Sequence, residues 1–378
     1  MTTKHLLYYF VFFLVTVSCS QKEKVNPLTA ALKSDHPQIK RVMDSLAPFE
    51  LQIRYIGIHK ENGTTLLENT DFQVNDELYF YPASTIKLPV AVLALEKLNS
   101  IDSITRNNKF FVEGDTTVTT FAKEIEKIFV LSDNEANNRL MEFLGQDYIN
   151  GTLISKGIEQ VSITHRLATE HPEDITTKPL VIYLNDSTTI NTPPIISTAP
   201  TPLKLQGTAK GIGYLDDDFL IQEPFDMSLK NYYSISAQSE VLKRIIFPEH
   251  FAPEQRFDIT EEQRDFLLHE MQLLPKNAGY NPEEFYDSYG KFFMYGNTKD
   301  SIPNNISIYN KVGYAYGTLT DCAYIKDEKN DIEFMLIATI LVNSNGIFND
   351  NIYEFEEIGI PFLAELGRQV YQNELNNK

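Results

Sequence analysis

The sequence predicts an α+β fold: an α/β lobe whose sheet is built from the first and last thirds of the chain, plus an all-α lobe from the stretch between them. Three observations predict it. A strand-like segment turns at Asn62-Gly63 into a second one, the signature of an antiparallel hairpin. From Pro82 to Gly157 apolar residues recur mainly at helical spacing. Strand patterns then return in the last third, ending in the nearly wholly apolar "IEFMLIATILV" and a closing helix. Strands at both ends of a chain must meet in one sheet to bury their apolar faces, with the helical middle packed beside them. The 378 residues, 42% hydrophobic, are ample for one large domain or two lobes sharing a core.

Taken in order, the chain opens with Lys4 and His5 and an apolar run from Leu6 to Val17. That run is too short to span a bilayer and suits the core of a signal peptide. It ends in Thr16-Val17-Ser18-Cys19, which resembles a bacterial lipobox and makes Cys19 the expected lipidation site after removal of residues 1–19 as a leader. An ordinary secretory signal is the alternative. Residues 20–38 are polar and read as a tether to a domain spanning 39–378. In "ELQIRYIGIHKENGTTLLE", Leu51, Ile53 and Tyr55 fall on one side of a strand and Ile56 and Ile58 on the other, with Gly57 as a candidate bulge. Helices are expected from Pro82 to Leu98, on both sides of Ser132–Asn134, and up to Gly157. The stretch 180–215, rich in Thr and Pro, fits strands or an elaborated loop within an insertion at about 175–228. Helices follow at "SAQSEVLKRIIF" and "TEEQRDFLLHEMQLL", where Thr260 and Gln263 form a capping-box pattern. The strands "SIYNKV", "TDCAYIK" and "IEFMLIATILV" and the helix "EFEEIGIPFLAELGRQVYQ" complete the chain.

Composition excludes several classes. With 33 Lys+Arg against 52 Asp+Glu the net charge is -19, which argues against nucleic acid as a partner and suits the solubility of an envelope or extracellular protein. If Cys19 carries lipid, the second cysteine, Cys322, has no partner, so packing rather than a disulfide must stabilise the fold. Cys322 reads as a small buried hydrophobe. The 7 histidines are scattered without metal-ligand spacing, and no metal or organic cofactor is implied.

Three short motifs carry the chemistry. Ser84 and Lys87 are three apart, so on a helix their side chains share a face. Lys87 can serve as base to the Ser84 hydroxyl if burial or a second cation destabilises its ammonium. At a helix start, the Ser84 N–H is free to meet a developing oxyanion. Pro89 early in that helix breaks a local rule beside this polar pair. Ser132-Asp133-Asn134 then offers a hydroxyl that can relay a proton to a leaving nitrogen and an amide that can organise Lys87 and a substrate. Lys311-Val312-Gly313 places positive charge on a strand whose glycine admits a close approach. Each alone also fits a plain reading: a helix cap, a snorkelling lysine, a guarded sheet edge.

As an ordered set, Ser-x-x-Lys, Ser-Asp-Asn and Lys-x-Gly resemble the signature of class A β-lactamases and penicillin-binding proteins. "ASTIKLPVAVLALEKL", "LSDNEANNRLMEFLG" and "NKVGYAYGTLTDCAYI" extend the likeness over roughly residues 40–170 and 230–370. The resemblance implies a mostly antiparallel five-stranded sheet covered by helices, with the serine between sheet and helical lobe. It implies Ser84 as acylated nucleophile, Lys87 as its base, Ser132 as proton relay, Asn134 as organiser and Lys311 as attractor of a substrate carboxylate. Gly313 and Tyr314 would line the substrate, Tyr314 giving the second oxyanion N–H. The chain departs from the family in two places. Val312 stands where the family has a carboxylate-binding hydroxyl. The loop "VSITHRLATEHPEDITTKP" lacks the usual glutamate frame, leaving Glu170, with Glu173 behind it, as candidate deacylation base. The implied function is a serine hydrolase of the cell envelope, lipid-anchored to a membrane, acting on β-lactams or small peptidoglycan-derived amides. A D,D-peptidase or esterase, or a binding protein with lost turnover, are the alternatives.

Overall fold

The structure is a computed structural model describing residues 25–378. The leader, Cys19 and the start of the tether therefore lie outside the described residues. Five strands form the main sheet: β1 (Gln52–Glu61), β2 (Thr64–Phe72), β3 (Ile306–Ala315), β4 (Thr318–Asp327) and β5 (Ile332–Leu341), all antiparallel in the order β3-β4-β5-β1-β2. First and last thirds do share this sheet. Register is unbroken from Ile53↔Phe72 to Glu61↔Thr64, so Gly57 is not a bulge. It stays glycine for space, because a Cβ there would lie 3.1 Å from Tyr55 Oη and 3.0 Å from His59 Nε2.

Alternation along the strands divides the core. One face directs Ile53, Tyr55, Ala323, Ile325, Phe334 and Leu336 toward the outer helices. These are α1 (Pro27–Leu32), α2 (Pro37–Met43) and the long final helix α9 (Ile360–Asn376). Leu28, Ile39 and Val42 are buried there, so the tether expected through residue 38 is already packed structure from Pro27 onward. Both short helices begin with proline at N1, after Asn26 and His36 caps, and so form readily once their apolar side finds α9.

The opposite face presents Ile56, Ile58, Cys322, Tyr324, Met335 and Ile337 to the helical lobe. At its centre runs α3 (Lys87–Asn99), in which Leu88 and every residue from Val90 to Leu95 are 0% exposed. A helix enclosed on all sides needs no polar face, which explains its unbroken apolar run. Around it lie α4 (Phe121–Val130), α5 (Asn134–Leu144), α6 (Gln146–Ser155), α7 (Ile235–Ile246) and α8 (Glu261–Gln272), the last with the Thr260/Gln263 capping box formed. Side chains from these helices and from the sheet belong to one continuous cluster.

The stretch read as an insertion holds two hairpins and a third strand pair, Ala209–Lys210 with Phe225–Asp226. Leu180–Asn185 and Thr188–Asn191 extend a four-stranded sheet with Lys109–Val112 and Thr119–Thr120. Gly213–Asp216 and Phe219–Ile221 pair with each other, and the former pairs in parallel with Ile347–Phe348. Among the described residues no helix is long and apolar enough to cross a membrane.

Candidate active site

Ser84 does not lie on α3 itself. It sits in a 3-10 turn, Ala83–Ile86, that feeds α3 at Lys87. Pro89 thus occupies the first α-helical turn, where the missing N–H costs nothing, and no local rule is broken. Ala83 is held at φ 47° and Ser132 at φ 55°, both in the left-handed region that non-glycine residues avoid. Strain of this kind, on the order of 1–3 kcal/mol per residue, persists only where surrounding packing enforces it. Here both positions flank the reactive groups. Ser132 turns the chain between α4 and α5 so that its carbonyl and hydroxyl face the same way. Asp133 then caps α5 by accepting from the Ala136 N–H at 2.9 Å.

The two lysines converge on Ser132. Lys87 Nζ donates to the Ser132 carbonyl, to Asn134 Oδ1 at 2.7 Å and, more weakly, to Ser132 Oγ at 3.4 Å. Lys311 Nζ donates to Ser132 Oγ at 2.8 Å and to the Val312 carbonyl at 2.8 Å. With both oxygen lone pairs facing amines, the Ser132 O–H points away from them and is free to donate. Burial pushes the Lys87 ammonium down to about 7, opposed by nearby Asp133. Lys311 is driven well down by burial first and by the charge of Lys87 second.

The expected Ser84–Lys87 contact is not made. All three Lys87 hydrogen bonds go to Ser132 and Asn134, so the amine reaches Ser84 only by releasing one, the 3.4 Å contact being the weakest. Ser84 is half-buried, and β3 closes over its backbone. A Cβ at Gly313 would lie 2.7 Å from Ser84 N and 2.8 Å from the Pro82 carbonyl, so only glycine permits this approach. Gly313→Ala is expected to cost about 1–3 kcal/mol of stability through overpacking, read by urea denaturation. A cost below about 0.5 kcal/mol would mean that strand and turn are not held this close.

Tyr314 follows on the sheet's edge strand with its ring 59% exposed, against Phe355 at 5.4 Å between centroids. Val312 faces the other way, 4% exposed in the core beneath α9, and presents nothing to the crevice.

Glu170 does not join the cluster. It is exposed and lines a separate concavity of about 480 Å³ with Glu113, Asp115, Arg139 and Lys178, whose walls include none of Ser84, Lys87, Ser132 or Lys311. Glu173, behind it, is exposed too. The loop residue clamped to α5 is Leu167, whose N–H donates to Asn138 Oδ1 at 2.9 Å and whose carbonyl accepts from Asn138 Nδ2 at 2.8 Å. An apolar side chain therefore stands where the Ser-Asp-Asn helix grips the loop. Sequence reasoning overlooked Asn138, though its i+4 spacing from Asn134 puts both on one helix face. Asp133 was visible only as a cap, because its charge matters through a lysine distant in sequence.

A five-stranded antiparallel sheet thus lies beside a helical lobe, with Lys87 and Lys311 meeting on Ser132 near the Ser84 turn. Residues 38–192 match the Beta-lactamase enzyme family. Among solved structures it is similar to a representative of class A β-lactamase from Bacteroides cellulosilyticus, at TM-score 0.55 and 13% identity, covering 92% of this chain and 98% of that one. It is also similar to a β-lactamase from Sphaerobacter thermophilus, at TM-score 0.51 and 13% identity, covering 92% and 96%. At such identity the likeness concerns the fold. No match is found among curated proteins.

Proposed function

We propose that this protein is a serine hydrolase acylated at Ser84 by a β-lactam or a D-amino-acid amide. The observation that carries the reading is the meeting of Lys87 and Lys311 on the Ser132 hydroxyl beside the Ser84 turn. In the forward step, neutral Lys87 takes the Ser84 proton as Oγ attacks the carbonyl carbon. The oxyanion is met by the Ser84 and Tyr314 N–H groups. Ser132 hands its proton to the departing nitrogen as the C–N bond breaks and is reprotonated through its contacts with the lysines. Lys311 holds the Ser132 hydroxyl in place through its hydrogen bond to Oγ.

Release of the acyl group is the slower half. Glu170 lines another concavity and Leu167 takes the clamped loop position, which supports a reading in which no loop carboxylate activates water. Val312 offers no hydroxyl to a substrate carboxylate. Both favour a long-lived acyl-enzyme, the behaviour of a peptidase-like or slowly turning-over enzyme, over rapid β-lactam hydrolysis.

Intact-mass spectrometry after mixing with benzylpenicillin tests the proposal. An adduct of one penicillin mass is expected on the wild type and none on Ser84→Ala; labelling retained in that variant would refute Ser84 as nucleophile. Glu170→Gln is expected to leave the adduct lifetime within about twofold, since Glu170 lines a concavity that Ser84, Lys87, Ser132 and Lys311 do not line. A lifetime lengthened ten times or more would restore Glu170 to the mechanism.

A further inference from the structure

A second buried polar cluster lies behind β3, on the face away from Ser84. Lys291, Asn310 and Asp321 are each 2% exposed or less. Lys291 Nζ donates to the Met271 carbonyl on α8 at 2.8 Å, to the Ile308 carbonyl at 3.0 Å and to Asn310 Oδ1 at 2.6 Å. Asn310 Nδ2 donates to the Gly290 carbonyl at 2.9 Å and to Asp321 Oδ1 at 2.8 Å. Asp321 Oδ2 accepts from the N–H groups of Phe292 and Phe293 at 3.2 and 3.3 Å. Every donor of Lys291 and Asn310 is used, at a large desolvation cost that ordinary packing would avoid.

Position gives the cluster its meaning. β3 is an edge strand with a single ladder partner, β4, so nothing in the sheet secures its outer side. Asn310 immediately precedes Lys311, and alternation sends their side chains to opposite faces of the strand. Tying Asn310 to α8, to the 290–293 segment and to β4 therefore fixes where Lys311 emerges. Burial lowers Lys291 to about 7 and raises Asp321 to about 6, and when ionised the two act on the Lys311 charge in opposite senses. We propose that Lys291, Asn310 and Asp321 form a buried positioning cluster that holds β3 in place and sets the charge of Lys311, and through it that of Lys87.

This rests on the reading of Lys87 and Lys311 as the working amines. On its own face Lys311 meets Lys87 from α3, Ser132 with Asp133 beside it before α5, and its ladder partner Cys322 on β4, while Asp321 on β4 and Lys291 of the 290–293 segment act on it from the other face. From α8, which packs on β3, the titratable residues of the last turns are His269 and Glu270. Of these groups Asp321 is the carboxylate at 0% exposure, against 6% for Glu270. Removing its charge makes an ammonium on Lys311 or Lys87 harder to hold, while removing that of Lys291 makes it easier.

The experiment is a pH titration of the Lys87 and Lys311 side chains by NMR of protein carrying carbon-13 at the lysine ε position. Signals are assigned by single Lys→Met variants, and no substrate is needed. Relative to wild type, Asp321→Asn is expected to lower both midpoints and Lys291→Met to raise them, each by on the order of one pH unit. The double variant is expected back near the wild type. A merely structural role would lower the melting temperature of both single variants without opposite displacements, and that outcome overturns the proposal. Where a single variant does not fold, wild-type protein decides. Midpoints set by buried charges are expected to move by less than about 0.2 unit between low and high salt, and movement beyond about half a unit assigns them to surface charge instead. The acylation rate, measured in parallel, separates the two readings. Opposite displacements without any adduct leave the cluster's role standing and remove the proposed activity. Adduct formation with unmoved midpoints does the reverse.

Discussion

Replacing Lys87 by methionine is expected to slow acylation of Ser84 by about 10²–10⁴-fold, the usual worth of a positioned general base. Methionine keeps much of the apolar stem inside a site where the residue is 0% exposed, so the loss reports the amine. The pH profile gives the sharper reading. With Lys87 held to about 7 by burial, the neutral, base-competent fraction grows as pH rises through that value. Wild-type acylation is therefore expected to climb between about pH 5 and 8 and then level off, whereas the residual rate of the variant has lost that limb. Stability follows the same linkage. Between the folded midpoint and the ordinary lysine value of 10.5, the unfolded chain holds a proton that the folded one has released, so this group makes stability rise with pH across that window. Lys87→Met removes its share of the slope. A variant retaining more than about a tenth of the wild-type rate would assign the base elsewhere.

The second large effect is expected at Arg166. Its Nε and Nη2 form a forked pair with Glu142 on α5 at 2.6 and 3.0 Å, while Nη1 donates to the Asp174 carbonyl at 2.7 Å. Glu142 also accepts from the Lys178 N–H at 2.7 Å, so one buried ion pair clips the loop from residue 164 to 178 onto the helix that begins at Asn134. Arg166→Met leaves a carboxylate buried without its cation, at a cost of about 3–5 kcal/mol. Arg166→Met combined with Glu142→Leu restores charge balance and is expected to recover much of the loss. Urea unfolding checks both. A single-variant cost under about 1 kcal/mol would show that backbone contacts hold the loop by themselves.

Much of this architecture was legible from the sequence because its signals are local. Asn62-Gly63 marks the hairpin, Thr260 with Gln263 marks the start of α8, and alternation in β1 separates Ile53 and Tyr55 from Ile56 and Ile58, as the two sheet faces do. The order of the three motifs identified the groups that meet around Ser132. What escaped depends on partners far along the chain. Residues 27–43 look like a polar tether until α9 is there to cover Leu28 and Ile39. Gly57 looks like a bulge until the neighbouring rings that crowd it are known. Glu170 was selected for being an acid at about the right distance in sequence, but loop position is decided by Asn138, and Asn138 holds Leu167. Lys291 and Asp321 carry no local mark, since their pairing exists only once β3 and β4 lie side by side.

The enclosed helix α3 has a mechanical corollary. Its side chains join one face of the sheet and the helices of the lobe in one continuous apolar cluster. Calorimetry should accordingly record one cooperative melt, with reactivity vanishing at the same temperature as the fold.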